Sequence, residues 1–434
     1  MAGPAIRAVA IARRLAEEHD VRLVSTKSAD LPRDDFDVHY SADLMDDADW
    51  AEIAIVQGDV LAAHRHLAER TDLMIVADVY APIHIEKLEE TRGMSPSERR
   101  LTVFTSVDIL NQQLERADLL LCASERQRLF WLGQLAGLGR LSPELYDEDE
   151  SLRSLVAIVP FGLDPVPPEQ KEHGLRGRVP GLSVDDKIVL WGGGIYNWFD
   201  PQTLVEAIAR LAETHDDVRL VFMGSRHPNP DVPSSRAAIG ARARAAELGV
   251  LDRSVFFLEE WVPFESRADF LLDANIGVST HLDHLETTLS FRTRMLDYLW
   301  AGLPIVATAG DSFADLIAAE GFGEVVPAGE VEALAFAIER QLYEPGVAEA
   351  ASKRIEQARD RFSWATALQP LVDFCREPTL SDARKASRTA FVLERARATE
   401  GRAVHATAEV DRLRERIGEM ESTLAWRARG WLRR

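Results

Sequence analysis

Two arginines and an aspartate interrupt an otherwise apolar stretch, SFRTRMLDYLWAGLPIVAT. The apolar spacing predicts a helix over 291–301 that ends before Gly302. Arg292 and Arg294 then lie in the first turn, where a helix amino end and guanidinium groups together favour a bound phosphate. An ion pair between Arg294 and Asp297 on a solvated face explains the same pattern, so the stretch alone leaves both interpretations open.

A second group of polar side chains, His281, Asp283, His284 and Glu286, follows the predicted strand Ile276–Ser279. The carboxyl ends of parallel strands line the ligand crevice of an open α/β sheet. The spacing of these residues matches no metal-ligand pattern. They are therefore candidates for binding a ligand, not a metal.

A glycine-rich loop closes another predicted strand, because Ile188–Trp191 is followed by Gly192, Gly193 and Gly194. A helix should begin after Asp200, which can cap it. Glycines let the backbone approach a ligand closely and offer N–H groups to anions. A tight turn is the competing interpretation, but the position in the same half as the arginines favours an anion site.

The elements that must position these residues are two series of β-rich runs alternating with helical patterns. This alternation predicts an α/β fold with two doubly wound parallel sheets and a cleft between their carboxyl edges. The predicted strands are Val21–Ser25, Val38–Tyr40, Ile53–Val56, Leu73–Val76, Leu119–Ala123 and Ala157–Val159, then Ile188–Trp191, Val218–Met223, Val255–Phe257, Ile276–Ser279, Pro304–Ala307 and Glu324–Val326.

The predicted domains are residues 1–165 and 182–365, followed by a crossover helix at 366–379 and a tail at 380–434. A linker rich in Pro, Gly and charge separates the two domains. The first domain opens on a helix, so the first strand of a doubly wound sheet is missing. Either the true start lies upstream or this domain is short by one element.

Composition narrows the class of protein. A net charge of −21 argues against nucleic acid as a partner, because phosphate binding needs clustered Lys and Arg. Cys122 and Cys375 have no Cys or His at metal-ligand spacing, which disfavours zinc sites and disulfides and fits a cytoplasmic protein. No apolar run approaches the ~20 residues that cross a bilayer.

The tail differs from the body in charge, since residues 381–434 contain 13 Lys and Arg and 8 Asp and Glu, a net charge of +5. Its apolar residues recur at alternating spacings of three and four, namely Val410, Leu413, Ile417, Met420 and Leu424. Such a stripe suits a coiled coil, and the arginines and tryptophans of LAWRARGWLRR suit an anionic membrane. The candidate partners are a membrane surface, a second copy of the chain, or the acidic body itself.

Five segments, in order and at fitting spacing, carry a family resemblance. They are IVPFGLDP at 158–165, VLWGGGIYNWFDPQTLVEAIARL at 189–211, VRLVFMGS at 218–225, ANIGVST at 274–280 and LDYLWAGLPIVAT at 296–308. The chain resembles family-4 glycosyltransferases with the GT-B fold, strongly in its second half and loosely in its first. The resemblance implies two Rossmann-like domains facing across a cleft, with a nucleotide-sugar donor bound by the second.

The resemblance also implies roles for particular residues. The family's paired glutamates hold the donor sugar and the nucleotide ribose, and Asp297 stands in the place of the second. It should accept hydrogen bonds from the ribose hydroxyls. Leu289 occupies the place of the first glutamate, so Glu286 is the nearest substitute and a predicted catalytic residue.

A second departure concerns the diphosphate. The Arg and Lys that often follow the first donor-domain glycine in the family are replaced here by Gly194 and Phe199. Charge on a leaving nucleotide diphosphate must still be stabilised. We therefore assign this task to Arg292, Arg294 and the glycine-loop amides, with Arg226 as a further candidate.

The remaining site residues are predicted from their places after strands. Trp261 could stack on the nucleotide base, with core packing as the alternative. Asp78 and His84 follow the strand Leu73–Val76 and are candidates to orient the acceptor hydroxyl, with a structural role as the alternative for each. The resemblance implies retaining transfer without a metal or other cofactor, in which the departing phosphate helps to deprotonate the acceptor.

The predicted function is a cytoplasmic glycosyltransferase that moves a sugar from a nucleotide sugar to a glycan or lipid-linked acceptor in cell-surface polysaccharide assembly. It would be peripheral at the inner face of the membrane if its tail binds lipid. Two alternatives stay open: a GT-B sugar-nucleotide epimerase, and a GT-B scaffold that has lost catalysis and acts through its coiled-coil tail. Product analysis separates the epimerase, and stabilisation by nucleotides separates the scaffold.

Overall fold

The structure is a computed structural model that describes residues 3–29, 31, 35–224, 235–378 and 407–417. The contacts of the chain divide it into two compact units. The first unit comprises residues 1–134 and 153–378, and the second comprises residues 135–152 and 379–434. All strands that the structure describes lie in the first unit.

The amino-terminal half of the chain alternates helices and short strands. Its elements are α1 (Gly3–Leu15), β1 (Arg22–Ser25), β2 (Asp37–Tyr40), α2 (Met45–Trp50), β3 (Ile53–Gln57), α3 (Val60–Ala63), α4 (Arg65–Glu69), β4 (Met74–Asp78), α5 (Ile83–Glu90), α6 (Pro96–Arg116), β5 (Leu119–Cys122), α7 (Glu125–Gly137), α8 (Pro143–Glu148) and β6 (Val156–Ile158).

The strands of the amino-terminal domain form two parallel sheets in the described residues. One has the order β3-β4-β5-β6, and the other contains only β1 and β2. In a doubly wound sheet the first strand lies between the second and the fourth. In the described residues no strand precedes α1, and β1 and β3 lie in separate sheets.

The carboxyl-terminal half contains a second series of elements. They are β7 (Lys187–Gly192), α9 (Pro201–Leu211), β8 (Val218–Met223), α10 (Arg236–Glu247), β9 (Val255–Phe257), α11 (Arg267–Leu271), β10 (Ile276–Ser279), α12 (Leu285–Leu289), α13 (Thr293–Ala301), β11 (Ile305–Thr308), α14 (Ser312–Glu320), β12 (Gly323–Val326), α15 (Val331–Tyr343), α16 (Val347–Ala358), α17 (Trp364–Ala367) and α18 (Gln369–Arg376).

The carboxyl-terminal domain is built on one parallel sheet of order β12-β11-β10-β7-β8-β9. The strand order reverses between β7 and β10, and the crevice outside the carboxyl ends of such neighbours is where doubly wound folds bind ligands. Tyr298 holds helix α13 against the strands β7 and β10. Its hydroxyl accepts a hydrogen bond from the Gly192 N–H at 2.8 Å, and a Cβ at Gly277 would lie 2.4 Å from its ring.

The last helices return to the amino-terminal domain. Leu371 and Val372 of α18 pack in one buried cluster with Val76 of β4 and Leu121 of β5, and with Ile11 of α1. Because this cluster buries apolar side chains of α18 against β4 and β5, the packing stabilises the first sheet.

The predicted α/β fold is confirmed, since each predicted strand is present with its ends within two residues of the expected positions. Gly302 ends α13 in the left-handed conformation, at φ 70°, as expected for a residue just past a helix.

The second unit contains α8 and a helix over 407–417. Val410, Leu413 and Ile417 of the predicted apolar stripe are each about half exposed there. The remaining stripe residues and the two terminal tryptophans lie outside the described residues. None of the described helices is both long and apolar enough to span a membrane.

Candidate functional site

The glycine loop after β7 has the geometry of a ligand-facing turn. Gly193 has a φ of +86°, which L side chains rarely adopt, and open space lies where its side chain would be. A Cβ at Gly194 would lie 3.2 Å from the ring of Tyr196, so the loop packs closely on its own aromatic residue. Gly193 therefore presents bare backbone at the carboxyl edge of the sheet.

Arg294 lies beside this loop, as predicted. Its Nη2 donates to the carbonyl oxygen of Gly194 at 2.7 Å. Its guanidinium stacks on the rings of Trp191 and Phe199, each 4.2 Å from the ring centroid. Residue 294 is only 9% exposed, and its Nη1 has no hydrogen-bond partner in the described part of the chain.

Arg294 is a cation buried beside the glycine loop. It forms no ion pair with any carboxylate that the structure describes, and burial lowers its pKa to about 10. At neutral pH the guanidinium is still protonated. A buried cation without a partner is costly, so its position next to bare glycine backbone indicates an anion site.

Arg292 requires a correction. It is the residue before α13, and its two Nη atoms donate to both carboxylate oxygens of Glu286 at 2.8 and 2.7 Å. The two side chains are 5% and 2% exposed, and Arg292 Nε lies 3.7 Å from Asp311. Each charge is neutralised by the other and both Nη atoms are occupied, so the predicted roles as diphosphate ligand and donor-sugar ligand do not fit this geometry.

The polar loop after β10 forms a buried network and leaves only its tip exposed. His281 lies 3.1 Å from Asp311 through Nε2 and 2.9 Å from the Thr308 hydroxyl through Nδ1. Although burial opposes it, the hydrogen bond from His281 lowers the pKa of Asp311. His284 caps α12, and Asp283 is exposed. This network fixes the loop to β11, which a sequence pattern could not show.

The described part of the chain contains no candidate metal site. In the described residues no three His, Cys, Asp or Glu side chains are grouped as metal ligands would be.

Asp297 lies one turn after Arg294 on α13. Its side chain is 45% exposed, and Oδ1 lies 3.3 Å from Nε of Arg267. The Arg267 guanidinium is itself stacked on Phe264 and Trp300, at 3.6 and 4.1 Å from the ring centroids. Asp297 is thus held at one oxygen by a fixed arginine, and the rest of the carboxylate can accept hydrogen bonds from a ligand.

The structure describes one of the two remaining residues predicted to bind the donor. Trp261 follows β9 and lies against Gly224, where a Cβ would be 3.5 Å from its ring. This position is at the carboxyl end of β8, and base stacking stays a prediction. Arg226 lies outside the described residues.

Asp78 occupies a structural position. It ends β4 with a fully buried side chain, and both of its oxygens accept hydrogen bonds from Arg7 of α1, at 2.6 and 2.9 Å. Gln57 donates a third hydrogen bond at 2.6 Å. The predicted role of Asp78 in orienting an acceptor does not fit, because its oxygens are already occupied and no part of the side chain faces solvent.

His84 is also buried. Its ring stacks on Phe130, 5.5 Å between centroids, and lies 5.8 Å from Trp131. Burial lowers the pKa of His84 to about 4, so the imidazole is neutral at physiological pH. Packing against aromatic rings, and not contact with an acceptor, is the role that this environment supports.

The sequence patterns did not indicate one further candidate residue in helix α5. Glu86 of α5 is half-buried, and burial together with Glu286 across the cleft raises its pKa to about 7. The only local signal was an acidic residue inside the helix IHIEKLEE. Neighbours from the opposite domain give this glutamate its environment, and they are distant in sequence.

Hydrogen bonds join the two domains around the site. Gln127 Nε2 donates to the Leu289 carbonyl at 2.7 Å, and Arg126 donates to the Gly310 carbonyl at 2.7 Å. Leu289 stands where the family has its first glutamate. Here its backbone carbonyl takes part in an interdomain contact.

Comparisons with known proteins agree with this architecture. Residues 186–344 match the family described as glycosyl transferases group 1. A D-inositol 3-phosphate glycosyltransferase of Xylanimonas cellulosilytica is 26% identical over 234 residues, which is 52% of each chain. The chain therefore spans about half the length of the curated relative that it matches.

Two solved structures show the same fold. Sucrose-phosphate synthase from Thermosynechococcus elongatus superposes with a TM-score of 0.59 at 17% identity, over 87% of this chain and 93% of that one. WaaG, a glycosyltransferase involved in lipopolysaccharide biosynthesis, gives a TM-score of 0.58 at 16% identity, over 86% and 96%. The fold is GT-B, and the resemblance to glycosyltransferases is confirmed.

Proposed function

We propose that this protein is a retaining, metal-independent glycosyltransferase that moves a sugar from a nucleotide sugar to a hydroxyl group of a glycan or glycolipid. The observation that carries the proposal is Arg294, a buried guanidinium without an ion-pair partner in the described chain, beside the bare backbone of Gly193. A diphosphate supplies the missing negative charge, and glycosyl transfer requires that this charge be stabilised as it develops.

The donor would lie over the switch point between β7 and β10. Arg294 and the amides of Gly193 and Gly194 hold the diphosphate in this proposal. Asp297, one helical turn further, accepts hydrogen bonds from the ribose, and Trp261 at the end of β8 packs on the base. Arg292 does not contact the donor, because Glu286 already occupies its guanidinium.

The chemistry follows from where the charge is. The acceptor oxygen forms its bond to the anomeric carbon on the face from which the diphosphate leaves, and the acceptor proton passes to the departing phosphate oxygen. Arg294 stabilises the charge that the diphosphate gains as the donor bond breaks. The same cation takes the part that a metal would otherwise have.

The names of similar proteins support the substrate class. The curated relative acts on an inositol phosphate, and WaaG is involved in lipopolysaccharide biosynthesis. Both names point to hydroxyl-bearing acceptors of the cell surface or of low molecular weight. Assembly of a cell-surface glycan or glycolipid is the role that we propose.

A thermal-shift panel of UDP, GDP, ADP and dTDP tests the donor site directly. We expect one nucleotide to stabilise the wild type by about 2.7 kcal/mol at ~100 times its Kd. Arg294→Gln should abolish the shift. The matched control is Arg176→Gln, which also removes a guanidinium that holds backbone carbonyls but lies outside the glycine loop.

Two results would contradict the proposal. An unchanged nucleotide shift in Arg294→Gln would remove Arg294 from the site. A wild type that binds a sugar nucleotide but only isomerises it, with no product on any acceptor, would make the protein an epimerase.

A further inference from the structure

Helix α5 of the amino-terminal domain faces the carboxyl-terminal domain, because it packs against α12. It contains three glutamates with different surroundings. Glu89 pairs with Arg92, and Glu90 pairs with Lys87. Glu86 is half-buried, yet its carboxylate makes no hydrogen bond or ion pair with any residue that the structure describes. It is the glutamate of α5 that is left for a ligand.

The charged and polar groups around Glu86 come from both domains. They are Glu286 and Arg292 across the cleft, Lys87 and Glu90 on its own helix, and Tyr80 and Tyr196, whose pKa values the charge of Glu86 raises. Burial and the like charge of Glu286 oppose ionisation of Glu86. A carboxyl kept in such a place without a partner destabilises the fold, and groups of this kind concentrate at functional sites.

An aromatic face lies near the same carboxylate. Tyr196 follows the glycine loop, is 40% exposed, and stacks on Trp198 with 4.9 Å between ring centroids. The next residue, Asn197, donates through Nδ2 to the backbone carbonyl of Glu90 at 3.4 Å, and Arg294 donates to the carbonyl of Gly194 in the same loop. The loop that carries Tyr196 therefore contacts both α5 and the arginine proposed to bind the diphosphate. Ligand pockets combine apolar aromatic walls with a few polar groups that fix orientation, and a carboxylate accepts hydrogen bonds from hydroxyl groups.

We propose that Glu86 accepts a hydrogen bond from the attacking hydroxyl of a sugar or polyol acceptor whose ring lies against Tyr196. This inference rests on the proposed function and specifies the acceptor side of the same cleft. The hydroxyl oxygen bonds to the anomeric carbon as the bond to the diphosphate breaks, and its proton passes to the departing phosphate oxygen. Glu86 orients the hydroxyl and ends the step in the protonation state in which it began.

The test compares transfer with hydrolysis of the same donor. The donor is the nucleotide sugar whose diphosphate gives the largest thermal shift, and the acceptor probes are myo-inositol and the methyl glycosides of glucose and mannose. Glu86→Gln should lower kcat/KM for the acceptor ~100-fold. The Kd of the nucleotide and the rate of donor hydrolysis should change less than about twofold, because water needs no orientation by Glu86.

Two further variants make the result specific. Glu86→Asp keeps the charge on a shorter side chain and should recover part of the acceptor turnover. Glu90→Gln removes an exposed carboxylate from the same helix and should leave transfer unchanged.

The pH profile adds a readout that a purely structural role would not move. Since the pKa of Glu86 is raised to about 7, wild-type transfer should fall as the pH drops below this value and Glu86 becomes protonated. Glu86→Gln should lack this acid limb. The pKa of Glu86 is 4.5 in the unfolded chain and about 7 in the folded protein. The contribution of Glu86 to the free energy of unfolding therefore falls progressively as the pH rises from 4.5 to 7. Glu86→Gln should therefore melt at a higher temperature than the wild type above pH 7.

The outcomes separate two failures. If the wild type transfers sugar and Glu86→Gln does so equally well, the role of Glu86 is wrong and the proposed function stands. Equal losses of hydrolysis and transfer would place Glu86 on the donor and would also overturn the inference. A wild type that neither binds a nucleotide nor transfers sugar would overturn both proposals together.

Discussion

Each domain contains a buried arginine at the carboxyl ends of its strands, and the two are held in opposite ways. Arg7 donates to both oxygens of Asp78 and to two backbone carbonyl groups after β6. Arg294 donates to the Gly194 carbonyl and pairs with no carboxylate in the described residues. Both are almost inaccessible to solvent, at 0% and 9% exposure.

This difference separates a charge that is neutralised within the fold from one that we propose binds the donor. The pair of Arg7 and Asp78 is internally neutral and has its hydrogen bonds satisfied, so it joins α1 to β4 and to the segment after β6. Arg294 retains an uncompensated charge and an unpartnered N–H group, which an anion would satisfy. In this chain the edge of one sheet thus holds a neutral ion pair, and the corresponding edge of the other holds the guanidinium that we propose binds the donor.

Breaking the structural pair should have the largest effect. Asp78→Ala leaves Arg7 buried without a partner, so the free energy of unfolding should fall by about 3–5 kcal/mol in denaturant titrations. The double variant Arg7→Met with Asp78→Leu should recover much of this loss, because it removes both charges. A loss below about 1 kcal/mol in the single variant would contradict a structural role.

Removing the unpaired charge should act on catalysis more than on folding. Arg294→Gln should lower donor turnover by about 10²–10³-fold, as the loss of one preorganised transition-state donor does elsewhere. Stability should also fall, because the guanidinium packs between Trp191 and Phe199. Steady-state kinetics on the folded fraction separate the two effects, and turnover within threefold of the wild type would make Arg294 merely structural.

Acid should destabilise the amino-terminal domain through His84. Its pKa is 6.5 in the unfolded chain and about 4 in the folded protein, so the unfolded state takes up a proton first as the pH falls. Stability should decrease from pH 6.5 down to 4 by on the order of 2–3 kcal/mol. His84→Leu should flatten this part of the stability profile, and an unchanged profile would rule out His84 as the cause.

A smaller effect is expected at Asp297. Asp297→Asn should weaken nucleoside diphosphate binding about tenfold, because a hydrogen bond to a charged group contributes about 1.5 kcal/mol. Binding of inorganic pyrophosphate should change little, since it has no ribose. Calorimetry with both ligands decides, and equal weakening of the two would move Asp297 from the ribose to the diphosphate.

The smallest effect is expected at the chain end. Deleting residues 380–434 should leave the nucleotide thermal shift unchanged, because the proposed donor residues all lie earlier. The same deletion tests the predicted membrane role of the tail. The full chain should sediment with anionic vesicles, and the deletion variant should stay in the supernatant. Equal binding with and without the tail would exclude lipid as the partner of the tail.

The strands and the glycine loop could be predicted because their signals are local. A short β-branched run such as Val218–Met223 shows its strand in its own composition, and Gly192–Gly194 mark a turn by the absence of side chains. The placement of Arg294 beside the loop also followed, because strand ends and helix starts meet at one edge of a parallel sheet.

Partners distant in the chain could not be predicted in this way. Asp78 looked like an acceptor ligand until its pairing with Arg7, 71 residues away, was visible. Arg292 and Glu286 were assigned two different ligands, although each neutralises the other. A charged side chain has the same sequence signal whether its partner is protein or substrate, so local pattern cannot decide between these roles.

The amino-acid sequence by itself determined the α/β class with parallel sheets, the approximate strand ends and the glycine turn after β7, because propensity, periodicity and glycine geometry act over a few residues. Only the tertiary structure decided which charges are satisfied. Burial and ion pairing depend on every group within a few ångströms, and those groups come from both domains. Glu86, ordinary in its own helix, acquires its raised pKa only when the opposite domain covers it.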